Sequence, residues 1–169
     1  MTDLFHAETT AQPILTREGR RALTARADRL RDVTLPQLLA LRGDPDDHDA
    51  SVDDDHQRAT HELSRLSALL VHARTVESTP DDPRVVEVGE AVTVALADGR
   101  VERYLLVDAP EATLGGMRVT AGSPLGQAVL GRQIGDQVEV RAPGGSYRCR
   151  VLSAERPDPT ADAGEVSQR

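Results

Sequence analysis

The residues best suited to chemistry in this sequence are aspartates, seven of which lie in one short acidic segment. This segment runs from Gly43 to Gln57, reads GDPDDHDASVDDDHQ and contains no arginine or lysine. Carboxylate oxygens are the ligands that Mg²⁺ prefers, and a dense negative charge also suits a basic cavity on a partner. A solvated loop that binds nothing is the third interpretation. The candidate metal ligands are Asp46, Asp47, Asp49, Asp53 and Asp54.

The spacing of these aspartates does not match a self-contained calcium loop. An EF-hand loop that starts at Asp44 places Asp49 where glycine is required and Asp55 where a bidentate glutamate belongs. Asp49 and Asp53 are four residues apart, so their side chains point the same way if the bend is one helical turn deep. Such a pair could complete a metal site whose other ligands come from elsewhere.

The other reactive residue types do not form a catalytic pattern. His48 and His56 lie within the acidic segment and His61 and His72 follow it, without cysteines nearby for a zinc site. The single cysteine, Cys149, has no histidine in its half of the chain to activate it as a nucleophile. The sequence also has no glycine-rich phosphate loop and no Ser-His-Asp order. We therefore expect a binding protein and not an enzyme.

Arginines are concentrated just before the acidic segment. Residues 16–42 contain seven arginines and three acidic residues, a net charge of +4. Each arginine could neutralise a nucleic-acid phosphate, but an ordinary solvated helix face in a chain without lysine has the same composition. We take Arg21 and Arg29 as the candidate nucleic-acid contacts.

The overall composition excludes several classes of protein. The chain has 169 residues, a net charge of −8 and three aromatic residues, too few for a base-stacking surface. No apolar run approaches the ~20 residues that span a bilayer, and the N-terminus lacks a signal-peptide pattern. One cysteine excludes an internal disulfide framework. We expect a soluble cytoplasmic protein that has no membrane partner.

Two helices must position the acidic segment. Thr16 is a suitable N-cap for the first helix, and Pro36 predicts a kink or restart at Thr34. Beyond the acidic segment, apolar residues recur every four and three positions, the spacing of a coiled-coil seam. This seam consists of Ala59, Leu63, Leu66, Leu70 and Ala73. The pattern predicts an antiparallel coiled-coil hairpin with the acidic segment at its tip.

The second half of the chain has the two-residue periodicity of strands. VVEV, AVTVAL, VERYLLV, QVEVRA and SYRCRVL predict an antiparallel sheet, with Cys149 facing its core. Ser123 and Pro124 predict the start of one short helix that ends at Gly131. The fold class is therefore α+β. The predicted parts are a disordered tail at 1–13, the hairpin at 14–77 with its tip at 43–57, a linker at 78–84, the sheet domain at 85–154 and a disordered tail at 155–169.

Two segments resemble a known family. SPLGQAVLGRQIGDQVEVRAPGG, Ser123–Gly145, is similar to the signature of the C-terminal domain of bacterial GreA/GreB transcript-cleavage factors. ILTREGRRAL, Ile14–Leu23, resembles the start of the family's first helix. The resemblance implies an FKBP-like C-terminal domain and a monomer that binds the rim of the RNA polymerase secondary channel. It also implies that Ser123 and Pro124 belong to the docking surface.

The sequence departs from the family pattern at the acidic tip. Cleavage factors carry an Asp and a Glu there, in a D-L-S-E-N type motif, which help to hold the second Mg²⁺ of the polymerase. The corresponding segment here is Asp49-Ala50-Ser51-Val52-Asp53, in which Val52 replaces the Glu. The additional aspartates resemble the tip of Gre-homologue inhibitors of the polymerase. This favours an inhibitor or modulator that binds no cofactor alone, shares the Mg²⁺ of the polymerase and affects nascent RNA indirectly.

Three alternative functions stay open at this point. The first is a genuine transcript-cleavage factor that rescues backtracked polymerase. The second is a protein of the nucleoside diphosphate kinase regulator type, which has the same C-terminal domain and a shorter coiled coil. The third, a prolyl isomerase, is suggested by the FKBP-like fold alone. Tyr104 and Tyr147 are too few to line the aromatic pocket that such an isomerase uses.

Overall fold

The computed structural model of this chain describes residues 12–41, 50–76 and 82–157. The first part is a helical arm that starts with strand β1 (Ile14–Leu15) and helix α1 (Arg17–Arg29). Thr16 caps α1 as predicted, because its Oγ1 accepts a hydrogen bond of 2.8 Å from the backbone N–H of Gly19. The predicted N-cap is therefore confirmed.

A π-helical segment interrupts the first half of the arm. It covers Leu30–Thr34 and is followed directly by helix α2 (Leu35–Leu41). Pro36, the second residue of α2, has no N–H to donate to the carbonyl four residues earlier, so a regular α-helix cannot continue through this point. The backbone N–H of Leu35 bonds to the carbonyl of Leu30 instead, in the wider π pattern. The discontinuity predicted at Thr34 is confirmed.

The second half of the arm is the long helix α3 (Ala50–His72), which packs against α1 and α2. Arg26, late in α1, pairs with Glu62, whereas Arg20, early in α1, bonds to the carbonyl of Leu70. The two helices are therefore antiparallel. Leu23, Ala27 and Ala59 are buried between them, and the other predicted seam residues of α3 are half-buried.

The base of the arm is held by a second set of bonds. Strand β2 (Arg74–Thr75) pairs with β1 in parallel. The Arg20 guanidinium donates to the carbonyls of Leu70 at 2.9 Å and Ala73 at 2.5 Å, and to Thr75 Oγ1 at 2.7 Å. Because the last carbonyls of a helix have no partner within it, Arg20 acts as a side-chain cap for α3.

A five-stranded sheet forms the C-terminal part. Its strands are β3 (Ala91–Leu96), β4 (Val101–Val107), β5 (Arg118–Thr120), β6 (Gln137–Ala142) and β7 (Gly145–Glu155). Their order across the sheet is β5-β4-β3-β7-β6. Helix α4 (Pro124–Val129) packs against β6 and contributes Val129 to the core. Cys149 is buried in that core as predicted.

Three sequence predictions about this part are corrected. The sheet is not purely antiparallel, because β4 and β5 pair in parallel across a 3-10 helix at Ala109–Leu114. VVEV is not a strand, since Val85 forms only one bridge, to Gln133, and Gly89 turns the chain with a φ of +94°. β7 extends to Glu155, one residue into the predicted tail.

The other predicted domain boundaries stay predictions. Pro13, in the predicted N-terminal tail, accepts a hydrogen bond from the N–H of Arg74. Arg156, in the predicted C-terminal tail, donates to the carbonyl of Val88 and to Glu87. Residues 1–11, 77–81 and 158–169 lie outside the described residues. No helix in the described ranges is long and apolar enough to cross a membrane.

Candidate functional site

The described part of the acidic segment belongs to the first two turns of α3. Asp53, Asp54 and Asp55 lie there, and Asp53 is in the first turn, where the unpaired N–H groups of the helix favour negative charge. Asp53 is half-buried, whereas Asp54 and Asp55 are exposed. Asp53 is therefore less accessible to solvent than the two aspartates that follow it.

Arg58 partly neutralises this end of α3. Its guanidinium lies 2.9 Å from the carboxylate of Asp55 and 3.8 Å from that of Asp54. All three side chains are more than half exposed, and ion pairs of this kind contribute less than about 1 kcal/mol. The pairs are weak enough for another cation to compete with Arg58.

The other predicted ligands, Asp46, Asp47 and Asp49, lie outside the described residues, as does His48. Within the described ranges, no group of three or more His, Cys, Asp or Glu side chains could hold a metal ion. Asp53 and Asp54 therefore do not form a complete metal site with other described residues.

Two exposed arginines of the arm form ion pairs with acidic residues. Arg26 pairs with Glu62 at 2.5 Å, and Arg31 pairs with Asp28 at 2.7 Å and Asp32 at 2.9 Å. Arg21 and Arg29, the predicted nucleic-acid contacts, are both exposed on α1.

An open groove of about 460 Å³ lies beside the first turns of α1. Its lining includes Arg17, Arg20 and Arg21, with Asp28 as its acidic residue. Arg20 is occupied by the end of α3, so the accessible positive charge in the groove comes from Arg17 and Arg21.

The predicted docking residues lie at the start of α4, in the C-terminal part. Ser123 Oγ accepts from the N–H of Gly126 at 3.1 Å and donates to the carbonyl of Thr120 at 2.8 Å. A Cβ at Gly126 would come within 2.0 Å of that same carbonyl oxygen, so the helix start is closely packed. Pro124 is exposed. Ser123 thus shapes the loop, and Pro124 is the residue that a partner can reach.

One buried polar contact between the arm and the sheet was not predicted from the sequence. Glu111, in the 3-10 helix, is fully buried, and its carboxylate accepts from the N–H and the Oγ1 of Thr16 at 2.5 Å and 2.7 Å. Desolvation by burial raises the pKa of Glu111, and the bonds from Thr16 oppose that rise. The two residues are 95 positions apart, so no local pattern connects them.

Three other ionisable side chains with raised pKa values lie in the C-terminal part. Glu90 is 1% exposed and accepts from the N–H of Glu87 at 2.8 Å, and burial raises its pKa. Tyr104 donates to the carboxylate of Glu102, which raises the pKa of the tyrosine to about 12. Burial also raises the pKa of the Cys149 thiol, which makes the thiolate rarer. A nucleophilic role for Cys149 therefore has no support.

Comparisons with known proteins show what the chain is similar to. Residues 80–156 match the family model described as "Transcription elongation factor, GreA/GreB, C-term". The GreA of Geobacillus kaustophilus is 27% identical over 151 residues, which are 83% of this chain and 95% of that protein. The C-terminal part of the chain is a GreA/GreB domain. The resemblance predicted from Ser123–Gly145 is confirmed.

One more relative and one solved structure are similar over most of the chain. The GreA of Thermomicrobium roseum is 29% identical over 150 residues, 83% of this chain and 96% of that protein. Among solved structures, GreA factor homolog 1 of Thermus thermophilus is similar, at 24% identity and a TM-score of 0.39. That match covers 85% of this chain and 99% of the solved one.

Proposed function

We propose that this protein is a GreA/GreB-type factor that binds RNA polymerase and regulates elongation by placing the acidic end of its helical arm at the active-site Mg²⁺. The GreA/GreB C-terminal domain and the similarity of the chain to GreA support RNA polymerase as the partner. The observation that carries the proposal is that α3 begins inside the acidic segment, so that Asp53 and Asp54 lie at one end of a long helix. Asp46, Asp47 and Asp49 precede them in sequence.

The dimensions of the arm suit this task. α3 has 23 residues, so it is roughly 35 Å long and makes about six turns. We propose that α1, α2 and α3 act as a coiled coil that enters the secondary channel, while the C-terminal part, an FKBP-like domain, binds the channel rim through Pro124 and the loop that Ser123 shapes. The chain acts as a cytoplasmic monomer, and nascent RNA is affected indirectly.

The acidic tip favours inhibition or modulation over cleavage. Two-metal hydrolysis needs a cation near both the attacking and the leaving oxygen, and the polymerase supplies that chemistry. On this chain, Val52 is half-buried at the position where the family motif has a Glu, so no carboxylate is available there. The protein is then a regulator and not itself an enzyme.

The role of this chain's own residues is to bring charge to the channel. Asp53 and Asp54 add oxygen ligands beside an ion that the polymerase holds, and the weakly paired Arg58 can release Asp54 when a stronger cation approaches. Arg21 and Arg29, exposed on α1, contribute at most phosphate contacts.

Two alternatives have less support in the geometry. The regulator type with a shorter coiled coil would have an arm of only a few turns, which a helix of 23 residues exceeds. A prolyl isomerase needs an open apolar pocket. The gap beside Tyr104, between the sheet and α4, has room for about 10 Å³ and is too small for a proline ring.

An assay on a stalled, backtracked elongation complex separates inhibition from cleavage. We expect the protein to slow nucleotide addition and to release no short 3′ RNA fragments. A much faster appearance of such fragments would show that the protein is a cleavage factor. Failure of the polymerase to retain the protein in a pull-down, while a GreA is retained, would refute the proposal as a whole.

A further inference from the structure

The contact between the arm and the sheet contains a fully buried carboxylate with no role in the proposed chemistry. We propose that Glu111 is a positioning residue that holds the first turn of α1 in one orientation and so sets the direction in which the arm leaves the C-terminal part. The importance of that direction for polymerase rests on the proposed function. The orientation itself can be tested without polymerase.

The first support is the bonding of the carboxylate. Both oxygens of Glu111 are used, one by the N–H of Thr16 at 2.5 Å and the other by its hydroxyl at 2.7 Å. The same hydroxyl oxygen accepts from the N–H of Gly19 at 2.8 Å. Thr16 therefore connects Glu111 directly to the beginning of α1. Hydrogen bonds to an ionised group are the stronger kind, and two from one residue fix direction as well as distance.

The second support is the space around the carboxylate. Gly19 is buried, and a Cβ at this position would lie 2.0 Å from one oxygen of Glu111. The carboxylate therefore rests directly against the backbone of α1, in room that only glycine leaves. Gly19 is the third residue of α1, so a larger side chain there would push the carboxylate away from the start of the helix.

The third support is that neighbouring bonds act on the same few residues. Asp108 accepts from the N–H of Ile14 at 3.1 Å, and Arg118 pairs with Glu18 at 2.7 Å. These contacts lie on either side of the Thr16–Glu111 bonds along the chain. The segment from Ile14 to Gly19 is thus held at several points by the elements that follow β4.

The arm transmits any change of orientation to its tip. Arg20 joins α1 to the end of α3, and β1 pairs with β2, so both halves of the arm move together. A rotation of about 10° at the base would move the far end of a helix roughly 35 Å long by about 6 Å. Misplacement by about 1 Å can already cost a hundredfold in a positioned reaction.

The test measures the distance between arm and sheet in the full chain. Spin labels are attached to Ala68→Cys on α3 and Gln137→Cys on β6, both exposed positions, while the native Cys149 is buried. We expect a single narrow distance distribution that Glu111→Ala broadens or shifts. Glu111→Gln keeps an acceptor for the N–H of Thr16, so we expect it to preserve the narrow distribution.

Two further variants separate positioning from simple loss of stability. Gly19→Ala improves helix propensity but displaces the carboxylate, so we expect the same broadening as for Glu111→Ala with the sheet still folded. Glu90→Ala removes the other buried carboxylate, which bonds within the C-terminal part, and should lower the melting temperature without changing the distance. An unchanged distribution in both Glu111→Ala and Gly19→Ala would overturn the proposal.

The same variants are then tested on RNA polymerase. We expect Glu111→Ala to reduce the effect on nucleotide addition by at least about tenfold and Glu111→Gln to restore it. If Glu111→Ala changes the distance but keeps the full effect, orientation has no role in the activity and that part of the inference is wrong. If the unmodified protein has no effect on polymerase, the proposed function fails, and the distance measurement still decides whether Glu111 orients the arm.

Discussion

The two ends of the helical arm are held by opposite kinds of interaction. At the base, Glu111 and Arg20 make short hydrogen bonds, and the Glu111 carboxylate is out of contact with water. At the tip, Asp54 and Asp55 form exposed ion pairs with Arg58. Buried directional bonds fix geometry, whereas exposed ion pairs in water are weak and exchangeable. The arm therefore combines a precisely held base with a charged end that can rearrange around a partner.

The largest expected effect comes from the apolar contact near the base. Leu23 is 2% exposed, so Leu23→Ala leaves a cavity between α1 and α3 and should lower the free energy of unfolding by about 3 kcal/mol. Leu41, at the far end of α2, is 68% exposed. Leu41→Ala should therefore change the free energy of unfolding by less than about 0.5 kcal/mol. Urea unfolding measures both. Equal effects would mean that the base is not the more tightly packed end.

A similar comparison applies to the two arginines. Arg20→Ala removes three hydrogen bonds and uncaps α3, and we expect a loss of about 2 kcal/mol. Arg58→Ala removes only exposed ion pairs and should cost less than about 0.5 kcal/mol. Thermal unfolding followed by helical circular dichroism checks this order, and the reverse order would contradict it.

Thr16 offers a smaller test of the base. Thr16→Ala removes the helix cap and one of the two hydrogen bonds that Thr16 donates to Glu111. We expect the free energy of unfolding to fall by about 1 to 2 kcal/mol. Thr16→Ser keeps the hydroxyl and serves as the matched control. In chemical denaturation, the free energy of unfolding of the serine variant should be close to that of the unmodified protein. A serine variant as unstable as the alanine variant would exclude the hydroxyl as the cause.

The smallest expected effect is a pH dependence. Burial raises the pKa of Glu111 above its ordinary value of 4.5, so the folded protein binds a proton more tightly than the unfolded chain does. The free energy of unfolding should therefore fall as the pH rises from 4.5 through the raised pKa. Glu111→Gln should remove this contribution, while the one from Glu90 persists. A difference between the two proteins that is constant with pH would contradict this.

Local signals in the sequence identified the ends of several elements correctly. Thr16 and Ser123 cap the helices that follow them, and Pro36 ends the regular helix before it, because each acts on backbone groups within four residues. The family signature at Ser123–Gly145 likewise depends on order and spacing alone. Such features can be found without knowing which segments meet in space.

Features that depend on distant contacts could not be predicted. Glu111 meets Thr16 across 95 positions, and β5 has only three residues, too few for a periodic pattern. VVEV has the composition of a strand, but only Val85 forms a bridge there and the chain turns at Gly89. For the acidic site, the sequence supplied the candidate ligands, and only Asp53 and Asp54 among them lie in the described residues.

The most direct test of the central claim is the rate of nucleotide addition by RNA polymerase with variants of the tip. We expect Asp49→Ala combined with Asp53→Ala to reduce the effect of the protein by at least about tenfold, which corresponds to about 1.4 kcal/mol. Asp28→Ala combined with Asp32→Ala removes the same charge from the arm beside Arg31 and should leave the effect intact. Full activity of the tip variant, or equal loss in both, would contradict the claim that the acidic tip acts at the active centre.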